Sequence, residues 1–455
     1  MVLYSDWIVD EEEGTTATID LSSSAPIAGS YIPTGTASIT AYYDGEKLTL
    51  SNTSEKVAAV VFKGNYDGTE DTVIENLSIQ FRWNFTSDFT IEFEDFGFRA
   101  PAGMVALDLS QLHIDRDVRL VCSGDCLISS ADGFAGNSET SATIICNCGI
   151  SIDGSGDCQI KGGNGSSGNS TRAIGYNGQK AIIAESLLIT YEGYLEICGG
   201  DGGTGTDGVT GASGVNGANA IAVPFVVAGT AGSRGSAGTS GAPGGDGALA
   251  IEATTLALSS RGIVKIDGGR GGNGGTGGTG GKGGNGGNAD VVLYTGYTGG
   301  NGGNGGAGGD TGKNASAISV SSAFMAIPNK YIILTSGDNG VGGTGGTGGA
   351  AGRGGNSNAW GGNGGRGGNG GKGGQGGNAY ASIPNAYTGE LFEVKSDILS
   401  TIAVRKGDNG TPGSGGSGGK AGAMGVNNGG MLPGSNGTPG IQGSLGDSGS
   451  LLSTW

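Results

Sequence analysis

The sequence lacks any apolar run approaching the ~20 residues that a membrane span needs. Its start, MVLYSDWIVDEEEGTT, has neither a basic beginning nor a long apolar centre. We therefore expect no membrane insertion and no secretory signal peptide, and we expect synthesis in a cytoplasm. Basic residues are also few, since 24 Lys and Arg stand against 41 Asp and Glu. Without a basic cluster, nucleic acid is a poor candidate partner.

Histidine and proline are scarce, with 1 and 10 residues in a chain of 455. His113 has no nucleophile motif beside it, so Ser-His-Asp catalysis is not indicated. Glu92 and Glu94 have the spacing of strand neighbours, and so do Asp115 and Asp117. Such pairs favour a solvated strand face, although a polysaccharide-cleaving β-helix would also use them. We expect no enzyme activity and no cofactor.

The six cysteines do not follow the spacing of a zinc ribbon or zinc knuckle. They are Cys122, Cys126, Cys146, Cys148, Cys158 and Cys198. We therefore expect reduced thiols, several of them buried in β structure, and no metal site.

Residues 1–160 consist of short runs that alternate apolar and polar side chains, such as VIENLSIQFRW and FTIEFEDFGFR. Gly, Asp or Ser interrupts the runs, and no useful length has a helical period, so short strands are predicted. Residues 1–70 form a mixed β region. The short spacing over 71–160 predicts a parallel β-helix-like solenoid. The expected fold class is thus all-β with irregular parts.

Glycine supplies 104 residues and dominates 161–455. There, pairs of predicted strands recur about every 65–75 residues, and period-three glycine runs lie between them. The four outward runs each hold seven in-phase glycines, over 199–217, 268–286, 337–355 and 407–425. Each outward run is followed by a patch of larger residues and then by a returning run. Residues 161–179 form a shorter version of the same arrangement and precede the four long ones. A flexible linker has no reason to keep phase or matched length, so disorder is not favoured.

Period three without internal hydrogen bonds is the pattern of a polyproline II-type helix, which rises about 3.1 Å per residue. Made of glycine, such helices approach closely and bond their N–H and C=O groups to one another. The sequence therefore predicts a bundle of about ten polyglycine II helices. Its third positions, such as Asn273, Thr276 and Lys282, are polar and are expected to face water.

Five patches interrupt the glycine phase, and we expect all five at one distal end of the bundle. Either they cap the glycine lattice or they form a binding surface, since exposed loops on a rigid support commonly bind partners. The candidate binding residues are Arg172, Ile174, Tyr176, Pro224, Phe225, Val226, Val292, Leu293, Tyr294, Tyr297, Asn358, Trp360, Met431 and Leu432.

Glycine hairpins separated by short, dissimilar, aromatic-bearing loops resemble the tip adhesins of long tail fibres in T-even-like bacteriophages. The resemblance covers roughly 161–455, although the family's members are shorter and have a different fibre-attachment domain, whereas here a strand-rich solenoid is expected beneath the hairpins. It implies a receptor-binding protein of the virion, assembled in the host cytoplasm, whose distal loops contact an outer-membrane protein or surface glycan. It also implies that 1–70 attaches the chain to a fibre or tail protein.

Two rival classes are considered beside the adhesin. Polyglycine II bundles also look like springtail antifreeze proteins, which would need a flat Thr- or Ala-rich face and a secretory signal. A self-assembling fibre subunit would use the apolar patches as its joint.

Overall fold

The computed structural model describes most of the chain in the segments 16–22, 28–33, 39–52, 59–82, 84–85, 89–114, 117–136, 138, 140–221, 227–289, 295–326, 331–357, 369, 372, 387–394, 402–408, 410–426 and 441–442. The described part is all-β, as predicted, and apart from the 3₁₀ turn Glu70–Thr72 it contains no helix.

The strands are β1 (Thr16–Asp20), β2 (Ser30–Pro33), β3 (Ile39–Tyr43), β4 (Lys47–Asn52), β5 (Ala59–Lys63), β6 (Ile74–Glu75), β7 (Ser78–Arg82), β8 (Asn84–Phe85), β9 (Phe89–Glu94), β10 (Gly97–Ala100), β11 (Leu107–Leu109), β12 (His113–Ile114), β13 (Val118–Ser123), β14 (Cys126–Ser130), β15 (Ala142–Gly154), β16 (Asp157–Lys161), β17 (Lys180–Ile189), β18 (Tyr194–Cys198), β19 (Ile251–Leu258), β20 (Ile263–Asp267), β21 (Ile318–Ala326), β22 (Ile332–Thr335), β23 (Tyr387–Val394) and β24 (Ile402–Arg405).

Two main sheets organise the described strands, one of 14 strands and one of 8. From β15 onward, each strand of the larger sheet is followed by a strand of the smaller sheet, and we call such a pair a level. Each level stacks in parallel on the one before, as β15, β17, β19, β21 and β23 do in the larger sheet. Antiparallel pairing between described strands is confined to β2–β3 and β3–β4.

The core lies between the two sheets and changes in composition along the stack. Around strands β5, β9 and β10 the core is aromatic. Phe93 is completely buried there, and its ring lies 5.3 to 5.5 Å from those of Phe62, Phe96 and Phe98. Strand β9 shows why strands form, since its residues alternate between buried and half-buried. Later levels use aliphatic residues that parallel pairing places on one another, as for Ile197 and Ile266.

The larger sheet runs without a break across both predicted domain boundaries. Strand β5 pairs with β9 across residue 70, and β15 pairs with β17 across residue 160. The division into 1–70, 71–160 and 161–455 stays a prediction, and the hydrogen bonding of the larger sheet continues past both boundaries.

Glycine-rich segments connect the later levels. We name the outward segments O1 (199–219), O2 (268–289), O3 (336–357) and O4 (406–426), and the return segments R1 (228–248) and R2 (295–317). Apart from isolated bridges, their described residues belong to neither helix nor strand. A short hairpin (162–179) precedes them.

Candidate functional site

Each of the three positions in the glycine period forms backbone hydrogen bonds with a different neighbouring segment. In O2, the N–H of Gly271 donates to the carbonyl of Asp338 in O3 at 3.0 Å, and the N–H of Gly272 donates to Gly245 in R1 at 2.8 Å. The carbonyl of Arg270 accepts from Gly202 in O1 at 2.8 Å. The pattern repeats every three residues, so backbone groups that find no partner inside a segment are satisfied between segments.

The strands below set the register of the glycine segments above. Strand β18 pairs Tyr194 with Ile263, and the O1–O2 contact of Asp201 with Arg270 has the same separation of 69 residues. The return segments follow the larger sheet instead. Strand β19 pairs Ile251 with Ile318, and the R1–R2 contact between Asp246 and Lys313 has the matching separation of 67. Each segment thus continues the stacking of the strand beside it.

An asparagine ladder joins the outward segments close to their far end. The side-chain oxygen of Asn219 accepts from the N–H of Asn288 at 2.8 Å, and that of Asn288 accepts from Asn356 at 2.9 Å. Asn356 in turn accepts from Val426 at 2.9 Å. The sequence pattern assigned such third positions to water alone and missed this contact. The signal was the recurrence of Asn at the same place in successive outward runs.

Four outward segments end side by side. Ala220 is bridged in parallel to Ala289, and Ala289 to Ser357. The N–H of Ser357 donates to the carbonyl of Val426 at 3.1 Å. The patches that follow these residues therefore begin at one common height, which we call the far end.

Two features of the far end are described beyond those bridges. Ile221 and Val227 pair with each other in an antiparallel bridge, and both are more than half exposed. Tyr297 is half-buried, and its ring packs against Gly229, where an added Cβ would lie 2.5 Å from it. The other far-end candidates lie outside the described residues: Pro224, Phe225, Val226, Val292, Leu293, Tyr294, Asn358, Trp360, Met431 and Leu432.

The first turn does not reach the far end, so the expectation that all five patches share one end is wrong for this one. Gly203 donates to the carbonyl of Tyr176 at 2.8 Å, and Thr206 donates to Ala173 at 2.9 Å. Ala218, at the far end of O1, lies 15 residues beyond Gly203. The reason is length, since the short hairpin reverses after only a few glycine periods.

The first turn carries two exposed candidates, Arg172 and Ile174, and the half-buried Tyr176. The Asn169 side chain closes the turn by accepting from the N–H of Thr171 at 2.9 Å. The Arg172 guanidinium lies 4.3 Å from the centroid of the Tyr176 ring, a cation–π contact. Ile174 is 47% exposed. Arg172 and Tyr176 are thus in contact, and all three candidates belong to the first turn, which is separate from the far end.

Acidic and thiol groups lie close together between β18 and β20. The ligand atoms of Glu196, Cys198 and Asp267 are within 4.8 Å of one another. Lys265 Nζ lies 2.7 Å from Glu196 and 2.6 Å from Asp267. Burial lowers the pKa of Lys265, but hydrogen bonds to both carboxylates outweigh burial and raise it. The lysine offsets one of the two carboxylate charges and is ion-paired with both groups.

All six cysteines are free, and five of them are buried. Cys146 and Cys148 lie with their Sγ atoms 2.9 Å apart, where the pairing of β15 with β17 shifts register. Burial of several thiols was expected from the sequence.

No family model matches the chain, and no curated protein does. Among solved structures, it is similar to the nine-helix polyproline type II bundle antifreeze protein of the springtail Granisotoma rainieri. The identity is 23%, over 54% of this chain and 93% of that chain, with a TM-score of 0.12. So low a TM-score carries no argument about fold or function. Among the described residues, no helix has the length and apolar character of a membrane span.

Proposed function

We propose that the chain is a receptor-binding adhesin whose glycine-rich segments are polyglycine II helices that present loops at the far end. The observation that supports this most directly is the row of bridges from Ala220 through Ala289 to Ser357. It aligns the starts of separate loops on a common support, and rigidly held loops of differing sequence are a frequent way to build a binding surface.

The support is long and stiff enough for presentation at a distance. At about 3.1 Å per residue, the 22 residues of O2 extend roughly 65 Å from the strand stack. Hydrogen bonds to O1, O3, R1 and R2 hold O2 on all sides that face other segments. Because hydrogen bonds already hold the segment below a loop, fixing that segment on binding costs little further entropy, which favours affinity.

We assign receptor contact to the far-end patches and not to Arg172, Ile174 and Tyr176, which lie nearer the strands. The contact residues are then those of 222–226, 290–297, 358–360 and 427–433. The receptor class is a host surface protein or glycan. The N-terminal strands are assigned to a fibre or tail protein, in a virion assembled in the host cytoplasm, and no catalytic step or cofactor is included.

Exchange of one loop tests the assignment. Residues 290–294 are replaced by a polar loop of the same length, and binding of the purified protein to a panel of candidate host cells is measured by flow cytometry. The matched control replaces 170–174 in the first turn. We expect the far-end exchange to abolish binding and the control to retain it. Loss of binding in the control alone, or in neither variant, would contradict the assignment.

A second candidate, ice binding, is favoured by one specific observation. The edge of O1 exposes Val209, Ala212, Val215 and Ala218 at every third residue, so it is regular, uncharged and carries small side chains. Thermal hysteresis of the wild-type protein and of Val209→Lys discriminates the candidates. Hysteresis that the lysine abolishes would favour ice binding, and its absence in the wild type would exclude that candidate.

A further inference from the structure

The outward segments obey a strict rule on the side that faces the preceding outward segment. In O2 that side consists of seven glycines, from Gly269 to Gly287. A Cβ added at any of them would lie between 1.9 and 2.1 Å from a carbonyl oxygen of O1. Because real Cβ atoms essentially never approach below 3.0 Å, a side chain on this ridge is incompatible with a preceding segment.

O1 obeys the rule only beside the short hairpin. A Cβ at Gly200 would lie 2.0 Å from the carbonyl of Gly163, and one at Gly203 would lie 1.9 Å from that of Ser166. Beyond the point where the hairpin reverses, the ridge carries side chains. They are Val209, Ala212, Val215 and Ala218, whereas Thr206 on the same ridge still donates to Ala173 of the hairpin. Val209 and Val215 are 69% and 75% exposed.

In the return segment R1, the ridge beside the short hairpin also changes from glycine to larger residues where the hairpin ends. In R1, a Cβ at Gly245 would lie 2.0 Å from the carbonyl of Tyr176 in the short hairpin. Past the hairpin, the same ridge of R1 carries Ala242, Thr239, Ser236, Ser233 and Thr230. In R2, the equivalent ridge is again glycine, and Gly303 would place a Cβ 1.8 Å from the carbonyl of Ser236.

Hydroxyl oxygens of R1 accept hydrogen bonds from backbone N–H groups of O1, which are then not free to bond to another segment. The N–H of Val209 donates to Thr239 Oγ1 at 2.6 Å, and the N–H of Ala212 donates to Ser236 Oγ at 2.6 Å. Val215 and Ala218 donate in the same way to Ser233 and Thr230, at 2.7 and 2.8 Å. In the inner segment O2, the corresponding N–H groups donate to carbonyls of a return segment instead.

We infer that the side chains at this edge of the bundle prevent a second copy of the chain from docking there. The closed edge consists of Val209, Ala212, Val215 and Ala218 in O1 and of Thr230, Ser233, Ser236 and Thr239 in R1. Their side chains fill the space that another outward and return segment would need. Their hydroxyls satisfy the donors that such a return segment would use.

The copy that the closed edge excludes would approach with its O4 segment. In O3, Gly345 and Gly348 donate to the carbonyls of Ser414 and Ser417 in O4. The equivalent N–H groups of O4, at Gly415 and Gly418, have no acceptor among the described residues. O1 offers matching carbonyls beyond the short hairpin. Such a contact joins two different surfaces, so each added copy presents another O4 segment and further copies can add side by side.

Opening the edge tests the inference. The open-edge variant replaces all eight closed-edge residues by glycine. The control variant carries eight glycines on outward-facing positions, at Thr204, Thr210, Ser213, Thr276, Thr279, Thr344, Thr347 and Ser414. Circular dichroism checks that both are folded, and sedimentation velocity over a range of concentrations measures association.

We expect the open-edge variant to form species of about twofold or greater mass that grow with concentration, as a heterologous contact requires. The control should sediment like wild type. Adding Gly415→Pro and Gly418→Pro, which remove the O4 donors, should reverse the association, since Pro412 already occupies that ridge. A folded open-edge variant that sediments like wild type would overturn the inference, as would association that both prolines leave intact.

A smaller variant keeps the test decisive if eight glycines prevent folding. It opens only the outer half of the edge, with Val215, Ala218, Thr230 and Ser233 replaced by glycine. The same comparison applies, against a four-glycine control at Thr210, Ser213, Thr276 and Thr279. Neither outcome depends on whether the far end binds a receptor.

Discussion

Gly281→Ala tests whether glycine is needed for contact between O1 and O2. The added Cβ would lie 1.9 Å from the carbonyl oxygen of Ala212, so the segments must separate by about 1.1 Å to reach the 3.0 Å limit. The hydrogen bonds on either side, from Gly211 to Thr279 at 2.7 Å and from Gly214 to Lys282 at 2.6 Å, would lengthen by a similar amount. Both would then exceed the ordinary range of N–H···O distances.

The expected cost follows from those two bonds. Losing them costs about 1–3 kcal/mol. Alanine restricts the unfolded chain and returns about 0.4–1 kcal/mol. The net loss in the free energy of unfolding is therefore about 1–2 kcal/mol. Guanidinium unfolding followed by circular dichroism measures it, and hydrogen exchange of the peptide containing Gly211 and Gly214 should accelerate.

Ala212→Val is the matched control. Residue 212 occupies the same ridge of the neighbouring segment, at the closed edge, where valine already stands at 209 and 215. Its free energy of unfolding should change by less than about 0.5 kcal/mol. If Gly281→Ala unfolds at the same denaturant concentration as wild type and this control, then close backbone approach is not what the glycines provide.

Predictions at three further residues can be measured. Asn285→Ala removes the oxygen that accepts from the N–H of Arg353 at 3.0 Å, and should cost about 1 kcal/mol in unfolding free energy, whereas Lys282→Ala should cost almost nothing. Lys265→Met leaves the two partly buried carboxylates of Glu196 and Asp267 without their cation and should cost about 2 kcal/mol in unfolding free energy at pH 7. Because its pKa is raised, the wild-type contribution of Lys265 should be complete below pH ~10.4 and decline at higher pH, as seen in thermal melts. Burial raises the pKa of Cys198 to about 12, so iodoacetamide should label it roughly 10³-fold more slowly at pH 8 than a free thiol, and an ordinary rate would refute this.

The strands and the glycine phase were predictable because both are local patterns. Alternating burial marks β9 in the sequence, and period-three glycine marks O1 to O4. At one position in three, any side chain would clash with a neighbouring segment, so the glycines themselves mark these positions in the sequence. The all-β class and the parallel sheets follow from these patterns.

The candidate site was predictable only in outline. The sequence indicates which residues form the turns, but it does not indicate how far along the outward segments each turn lies. Tyr297 lies at the far end, whereas Tyr176 lies 15 residues short of it along O1, measured at Gly203 and Ala218. Nothing within either turn distinguishes the two, because their heights depend on which neighbouring segment each hairpin contacts.

By itself, the sequence determined which stretches are extended, which positions must be bare and where each run reverses. The tertiary structure alone decided how the runs are aligned. Hydrogen bonds such as that from Arg270 to Asp201 join residues 69 apart, and their register comes from the strand stack below. Bonds of that range depend on the position of one segment beside another, which no local period specifies, and the same dependence produces the asparagine ladder, the common height of the far-end turns and the closed edge.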